Sequence, residues 1–281
     1  MFSYLPFVVT EGVTSNTSSI TTIEKPKTPV FAQSSPLIPA VPPSDPTKDL
    51  GVETKVDKRH PIQYYVKASF MFSYIMLLTT ASITIIEALR TDIPEVRHIL
   101  NLETAISVIA GYFYSVFLTQ IDEFGKRDEP VDWTDITKTR YVDWSITTPM
   151  MLFTLCIVLG HLSKMKVPLV TMVQIILLNY SMLAIGFMGE IKWLNVWTAS
   201  FIGFIPFTVM FALVYMVFVA KSDSMYAQAF FWLYSSIWSL YGIVYLFGPE
   251  YKNLCFNILD LFAKCFIGLG LWVYYSNTVI L

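Results

Sequence analysis

LCFNILDLFAKCFIGLGLWVYY, residues 254–275, is an apolar stretch with a single amine, Lys264, near its middle. At about 1.5 Å of rise per residue it is long enough to cross the ~30 Å hydrocarbon core of a bilayer as a helix. Lys264 then lies too deep for its side chain to reach either interface, and a lysine at that depth costs on the order of 2.5–3.5 kcal/mol. Asp260 precedes it by four residues and shares its helix face. The couple has two readings. A buried lysine and aspartate can be an ion pair that ties a helix bundle together. Alternatively, a desolvated amine is nucleophilic and condenses with a carbonyl, and the cation so formed is held by the neighbouring carboxylate. Asp260 alone does not choose between them.

Working outward, the whole chain has the composition of an integral membrane protein: 54% hydrophobic, 16% aromatic and only 14% charged, with a mean hydropathy of +0.55. A net charge of −2 offers no basic field, so no nucleic-acid partner is expected. Cys156, Cys255 and Cys265 lie in or beside apolar segments without CxxC or Cys/His spacing, so they read as small buried hydrophobes and no metal site is expected. Apolar windows capable of crossing a membrane follow one another at 66–89, 98–121, 135–161, 167–189, 197–220, 226–247 and 254–275. Pro149 stands inside the third and is expected to kink it. The predicted fold is therefore an all-α membrane protein, a bundle of seven transmembrane helices occupying residues 63–281. Lysine and arginine are nearly balanced between alternate loops, so charge bias does not orient it.

Residues 1–62 are different: nine of the fifteen prolines lie at or before Pro61, among Ser, Thr and Lys. They read as a disordered Ser/Thr/Pro-rich N-terminal tail. The apolar opening MFSYLPFVV lacks a basic n-region and a small-residue cleavage site, which argues against a cleaved signal peptide. Asn16-Thr17-Ser18 is a glycosylation sequon, meaningful only if the tail is outside the cell.

The third window carries a second charged couple. RYVDWSITTPMMLFT, residues 140–154, places Arg140, Asp143 and Thr147 at i, i+3 and i+7 on one face, with Thr154 two turns further along. An isolated Arg–Asp couple could again be structural. Together with Lys264 and Asp260, however, it makes two carboxylates against two cations, a set that is neutral inside a membrane.

A seven-helix chain with R-Y-x-D-W-x-x-T-T-P in its third span and L-D-x-x-A-K in its seventh resembles the microbial (type 1) rhodopsins. The resemblance implies that Lys264 carries all-trans retinal as a covalent protonated Schiff base. It implies Asp143 and Asp260 as counterion carboxylates and Arg140 on their extracellular side. Two nearby carboxylates would favour the charged form of the nitrogen. By the same resemblance Trp144 and Trp238 are aromatic plates around the polyene, Tyr234 steadies Asp260, and Tyr114 stands near the same complex. Asn179, Met182 and Gly186 at i, i+3 and i+7 present a face to the ring, and Phe231 and Ser235 occupy places where many members have Trp and Pro.

Proton pumps of that family carry a donor carboxylate where this chain has Thr154, which argues against an efficient outward pump. Glu103, facing Thr154 from the second span, and Glu87 in the first, with Ser69, Ser73 and Asn257, offer the groups a cation path would need. LNLETAISVIAGYFY (100–114) and WSLYGIVYLF (238–247) further resemble rhodopsins of giant algal viruses, some of which are light-gated cation channels. The gating pair of algal channelrhodopsins, a cysteine and an aspartate, is here Thr148 and Asn179. The expected function is a light-gated cation channel. An outward proton pump using Glu103 as substitute donor and a photosensor remain as alternatives. An enzyme is not expected, since no fused catalytic domain fits. The partners implied are cations or protons, membrane lipid and a homo-oligomer, in a multi-pass plasma-membrane protein with an extracellular N-terminus.

Overall fold

The computed structural model describes residues 61–127 and 129–276, so the N-terminal tail and its sequon, apart from Pro61 and Ile62, fall outside the described residues. Seven helices and no strands occur among them: α1 Pro61–Arg90, α2 Pro94–Lys126, α3 Trp133–Leu162, α4 Leu169–Glu190, α5 Val196–Val219, α6 Met225–Val244 and α7 Pro249–Ser276. Each corresponds to one apolar window. Most extend beyond it, because hydropathy marks the part of a helix that sits in hydrocarbon, whereas backbone hydrogen bonding continues into the polar turns at its ends. In α2 these extra turns include Glu95 at one end and Asp122 to Lys126 at the other.

Local chemistry sets the starts. Pro94 and Pro249 open α2 and α7, where a missing N–H costs nothing. The Asp132 carboxylate accepts from the backbone N–H groups of Thr134 and Asp135 at 2.9 and 3.3 Å and caps α3. Asn195 and Ser224 cap α5 and α6 in the same way. Just past α3 and α4, Lys164 and Lys192 take left-handed φ values of 54° and 63°, turning the chain back toward the bundle.

Six helices are long and apolar enough to cross a membrane. The other, α6, has 20 residues, and its tyrosines, serines and tryptophans lower its hydropathy. Large apolar side chains face outward along the bundle, among them Phe72, Phe201 and Met216, as expected of a lipid-facing surface. The inward faces are closely packed, and α3 is central, with buried residues from Trp133 to Gly160. It continues through Pro149. Two helices contain a wider π turn: Tyr215–Val219 ends α5, and Leu261–Phe266 interrupts α7 at Lys264. Such turns concentrate at functional sites, since they redirect a side chain without breaking the helix.

Candidate functional site

The π turn of α7 aims Lys264 at α3. Its Nζ donates to Asp143 Oδ2 at 2.8 Å and reaches Asp260 Oδ2 at 3.5 Å. Arg140 reaches the same oxygen of Asp260, with Nη1 3.4 Å from Oδ2. All four side chains are buried. Two anions against two cations keep this cluster neutral, and neighbours use most of its remaining hydrogen-bonding capacity, Arg140 Nε excepted, which is what lets charges persist out of water. Tyr241 donates to Asp260 Oδ1 at 2.6 Å, and Tyr114 to Oδ2 at 2.8 Å. Arg140 Nη2 donates to Asn257 Oδ1 at 2.7 Å and to Asn253 Oδ1 at 3.3 Å. The rings of Phe70, Phe117 and Phe256 lie 5.0 to 5.7 Å from its guanidinium carbon. Asn257 in turn donates to Ser69 Oγ at 2.8 Å, which ties α1 to the cluster. The Thr147 hydroxyl is 3.3 Å from Asp143 Oδ1, and its stronger bond, 2.9 Å, goes to the Asp143 carbonyl. Asp143, Asp260, Arg140, Thr147 and Lys264 are thus brought together.

On the opposite side of this cluster Lys264 borders an apolar cavity between α3, α4, α5 and α6. Trp144, Thr148, Met182, Gly186 and Trp238 line it. Gly186 is required there: a Cβ would stand 2.6 Å from Tyr141 Oη. Asn179 does not reach the cavity. It is buried behind Thr148 and donates to the Thr148 hydroxyl at 2.9 Å, so the α3–α4 link exists with Thr148 alone on the wall.

Three expectations on α6 are corrected. Tyr241, not Tyr234, bonds Asp260. Tyr234 stacks on Trp238 with ring centroids 5.5 Å apart and lies outside the cavity. Phe231 packs on Tyr215 and Phe211, also outside, and Ser235 bonds back to the Trp232 carbonyl. The cavity wall uses Gly242 and Tyr245 instead. Phe231, Tyr234 and Trp238 have the spacing i, i+3, i+7, and so do Trp238, Tyr241 and Tyr245. The pattern therefore repeats two turns along, and spacing does not say which copy lies level with Asp260.

On the other side of Lys264, Glu103 is buried on α2 and faces Thr154 of α3. Gly268 leaves room for it, since a Cβ there would stand 3.0 Å from Glu103 Oε2. Thr84 and Thr104 share a 2.8 Å hydrogen bond between α1 and α2. Glu87 pairs with Arg90 at 3.7 Å, near the end of α1. Ser69, Ser73 and Asn257 gather on the Arg140 side, so the polar groups proposed for a path lie in two sets, one on each side of Lys264.

Sequence reasoning missed Asn253, Tyr141 and Tyr245, and above all a second buried ion pair. Lys252, in the first turn of α7, donates to both oxygens of Glu190, at the end of α4, at 2.7 and 3.0 Å. Both residues border loops in the sequence, and only their opposite signs hinted at a pair.

The model of the bacteriorhodopsin-like protein family matches residues 65–278. Bacteriorhodopsin-II of Haloarcula marismortui is 28% identical over 198 residues, which are 65% of this chain and 74% of that protein. The crystal structure of viral rhodopsin OLPVRII superposes with a TM-score of 0.70 at 35% identity, covering 76% of this chain and 99% of its own. Xanthorhodopsin, described as a light-driven ion pump with dual chromophore, superposes with a TM-score of 0.60 at 18% identity over 74% of this chain and 90% of its own, a likeness of fold.

Proposed function

Since the chain belongs to the bacteriorhodopsin-like family, as a microbial rhodopsin related to viral rhodopsins, we propose that it holds all-trans retinal covalently on Lys264 and acts as a light-gated cation channel. The observation that carries the retinal reading is the position of the Lys264 amine, buried between two carboxylates and open to an apolar cavity. A lysine serving only as a bundle tie has no use for empty apolar space beside it. The walls suit a flat polyene: indole rings of Trp144 and Trp238, the Met182 thioether, and glycines at 186 and 242 where side chains would intrude.

Retinal bound there supplies the absorption of light and a light-driven change of shape next to Asp143. The chain's own residues do the rest. Asp143, 2.8 Å from Nζ, holds the positive nitrogen and is the nearest acceptor for its proton. Asp260, fixed by Tyr241, Tyr114 and Arg140, remains a second negative charge that does not swing away. Arg140, locked by Asn257 and stacked among aromatic rings, screens Asp260 from the polar set at Ser69.

The channel reading rests on the Glu103 side. Glu103 is a buried carboxylate with no cation bonded to it among the described residues, Thr154 faces it, and the hydroxyl of Ser107, one turn along α2, is buried without a hydrogen-bond partner. Such a set is satisfied by passing water and cations. Glu103 also gives a proton-pump reading its one specific support, because it is the only carboxylate buried on that side among the described residues and could return a proton in place of Thr154. Photocurrents under voltage clamp separate the two: a channel's current reverses when the cation gradient is reversed, whereas a pump's keeps its sign. A one-signed current overturns the channel reading. The N-terminal, Arg140 side is proposed to face outside the cell, in a plasma membrane.

A further inference from the structure

Resting on the retinal reading, we infer that the chromophore reaches Lys264 from the lipid, sideways between α5 and α6, past the ring of Phe204. The cavity is closed along the bundle axis in both directions. Toward the Arg140 side, the Glu190–Lys252 pair joins the ends of α4 and α7. Lys252 Nζ lies 5.4 Å from the Tyr245 ring, and Tyr245 donates to the Gly186 carbonyl at 2.9 Å. An apolar aldehyde entering there would have to cross water and then part a buried ion pair, whose separation leaves two uncompensated charges. Toward the Glu103 side, Trp238 is backed by Tyr234 and Phe211 in the largest buried cluster, where an opening would undo close packing.

The lateral wall is thinner. Gly242 on α6 contributes no side chain to it. The Phe204 ring fills the space that a side chain on Gly242 would take: a Cβ there would stand 2.5 Å from Phe204 Cε2. Phe204 and Gly242 are half-buried and line the cavity, while the next residue on each helix, Ile205 and Ile243, is 63% and 52% exposed and faces the lipid. One ring therefore stands between cavity and hydrocarbon, and it yields by side-chain rotation, a motion far faster than parting helices. Retinal itself concentrates in that hydrocarbon.

The test is the rate of pigment formation after retinal-loaded vesicles are mixed with vesicles holding the retinal-free protein, followed by growth of visible absorbance. Phe204→Ala should form pigment several-fold faster and Phe204→Trp several-fold slower. The paired replacement Glu190→Gln with Lys252→Met should match the wild type. The opposite sign for Phe204→Trp keeps the test sound if Phe204→Ala folds poorly. Acceleration by the paired replacement with no effect at Phe204 would place entry on the aqueous side and overturn the inference, as would equal rates in all variants. Wild-type protein that forms no pigment at any time would instead remove the retinal reading, and this inference with it.

Discussion

The Lys252→Met replacement isolates the energetics of the second buried pair. Lys252 and Glu190 side chains are 8% and 7% exposed, and Nζ bonds both carboxylate oxygens at 2.7 and 3.0 Å. Removing the amine leaves a carboxylate out of water with no cation, a loss of about 3–5 kcal/mol in buried pairs. Glu190→Gln leaves the ammonium similarly stranded. Replacing both at once removes both charges and leaves a neutral amide beside an apolar chain, so the double variant escapes the stranded-ion cost that each single variant carries. The expected signature is strong non-additivity: each single variant is much less stable than the wild type, while the double variant is close to it. Denaturant unfolding of the four proteins, followed by the chromophore band and by helix circular dichroism, measures the coupling directly. Single-variant losses below about 1 kcal/mol, in the range of exposed pairs, or losses that simply add in the double variant, would refute the reasoning.

Lys264→Ala should give a colourless protein after retinal addition, read by visible absorption; a visible band that persists as a covalent adduct elsewhere would reject the linkage. Asp143→Asn removes the charge 2.8 Å from Nζ while Asp260 remains at 3.5 Å, so the positive charge is held less tightly and the absorption band should move to longer wavelength; an unchanged band would reject Asp143 as the main counterion. Glu103→Gln should change cation conductance or the reversal potential, with the photocycle nearly unaltered, if Glu103 lines the conducting path. It should instead slow the proton's return and reduce a one-signed current if Glu103 is a donor; flash spectroscopy with photocurrents tells these apart, and no change in either would leave Glu103 without a role in transport.

Much of the bundle was legible because a membrane imposes its own arithmetic. Each window of apolar residues had to be long enough to span hydrocarbon, and the charges of the third and seventh windows stood in couples of opposite sign on one helix face. Spacing put Asp260 on the face of Lys264 and Asp143 on the face of Arg140, since side-chain direction on one helix follows from 3.6 residues per turn, but the shortest contacts cross between helices, Lys264 to Asp143 at 2.8 Å and Arg140 to Asp260 at 3.4 Å. The face of α4 offered by Met182 and Gly186 followed from the same periodicity, although Asn179, on that face, ended behind Thr148.

Relations between helices were not legible in this way. Nothing in the spacing of α6 says how far along its axis it sits against α7, so Tyr234 was expected at Asp260 where packing puts Tyr241. The preference of Lys264 for Asp143 over its own helix neighbour likewise depends on a π turn and on the approach of α3. Glu190 and Lys252, 62 residues apart, meet only because the ends of α4 and α7 converge there. The sequence by itself determined the helices, their faces and the charges they carry, because those depend on local periodicity and on the solubility of side chains in hydrocarbon. Tertiary structure alone decided depth, inter-helix partners and the shape of the cavity, because these are set by how whole helices slide and pack against one another.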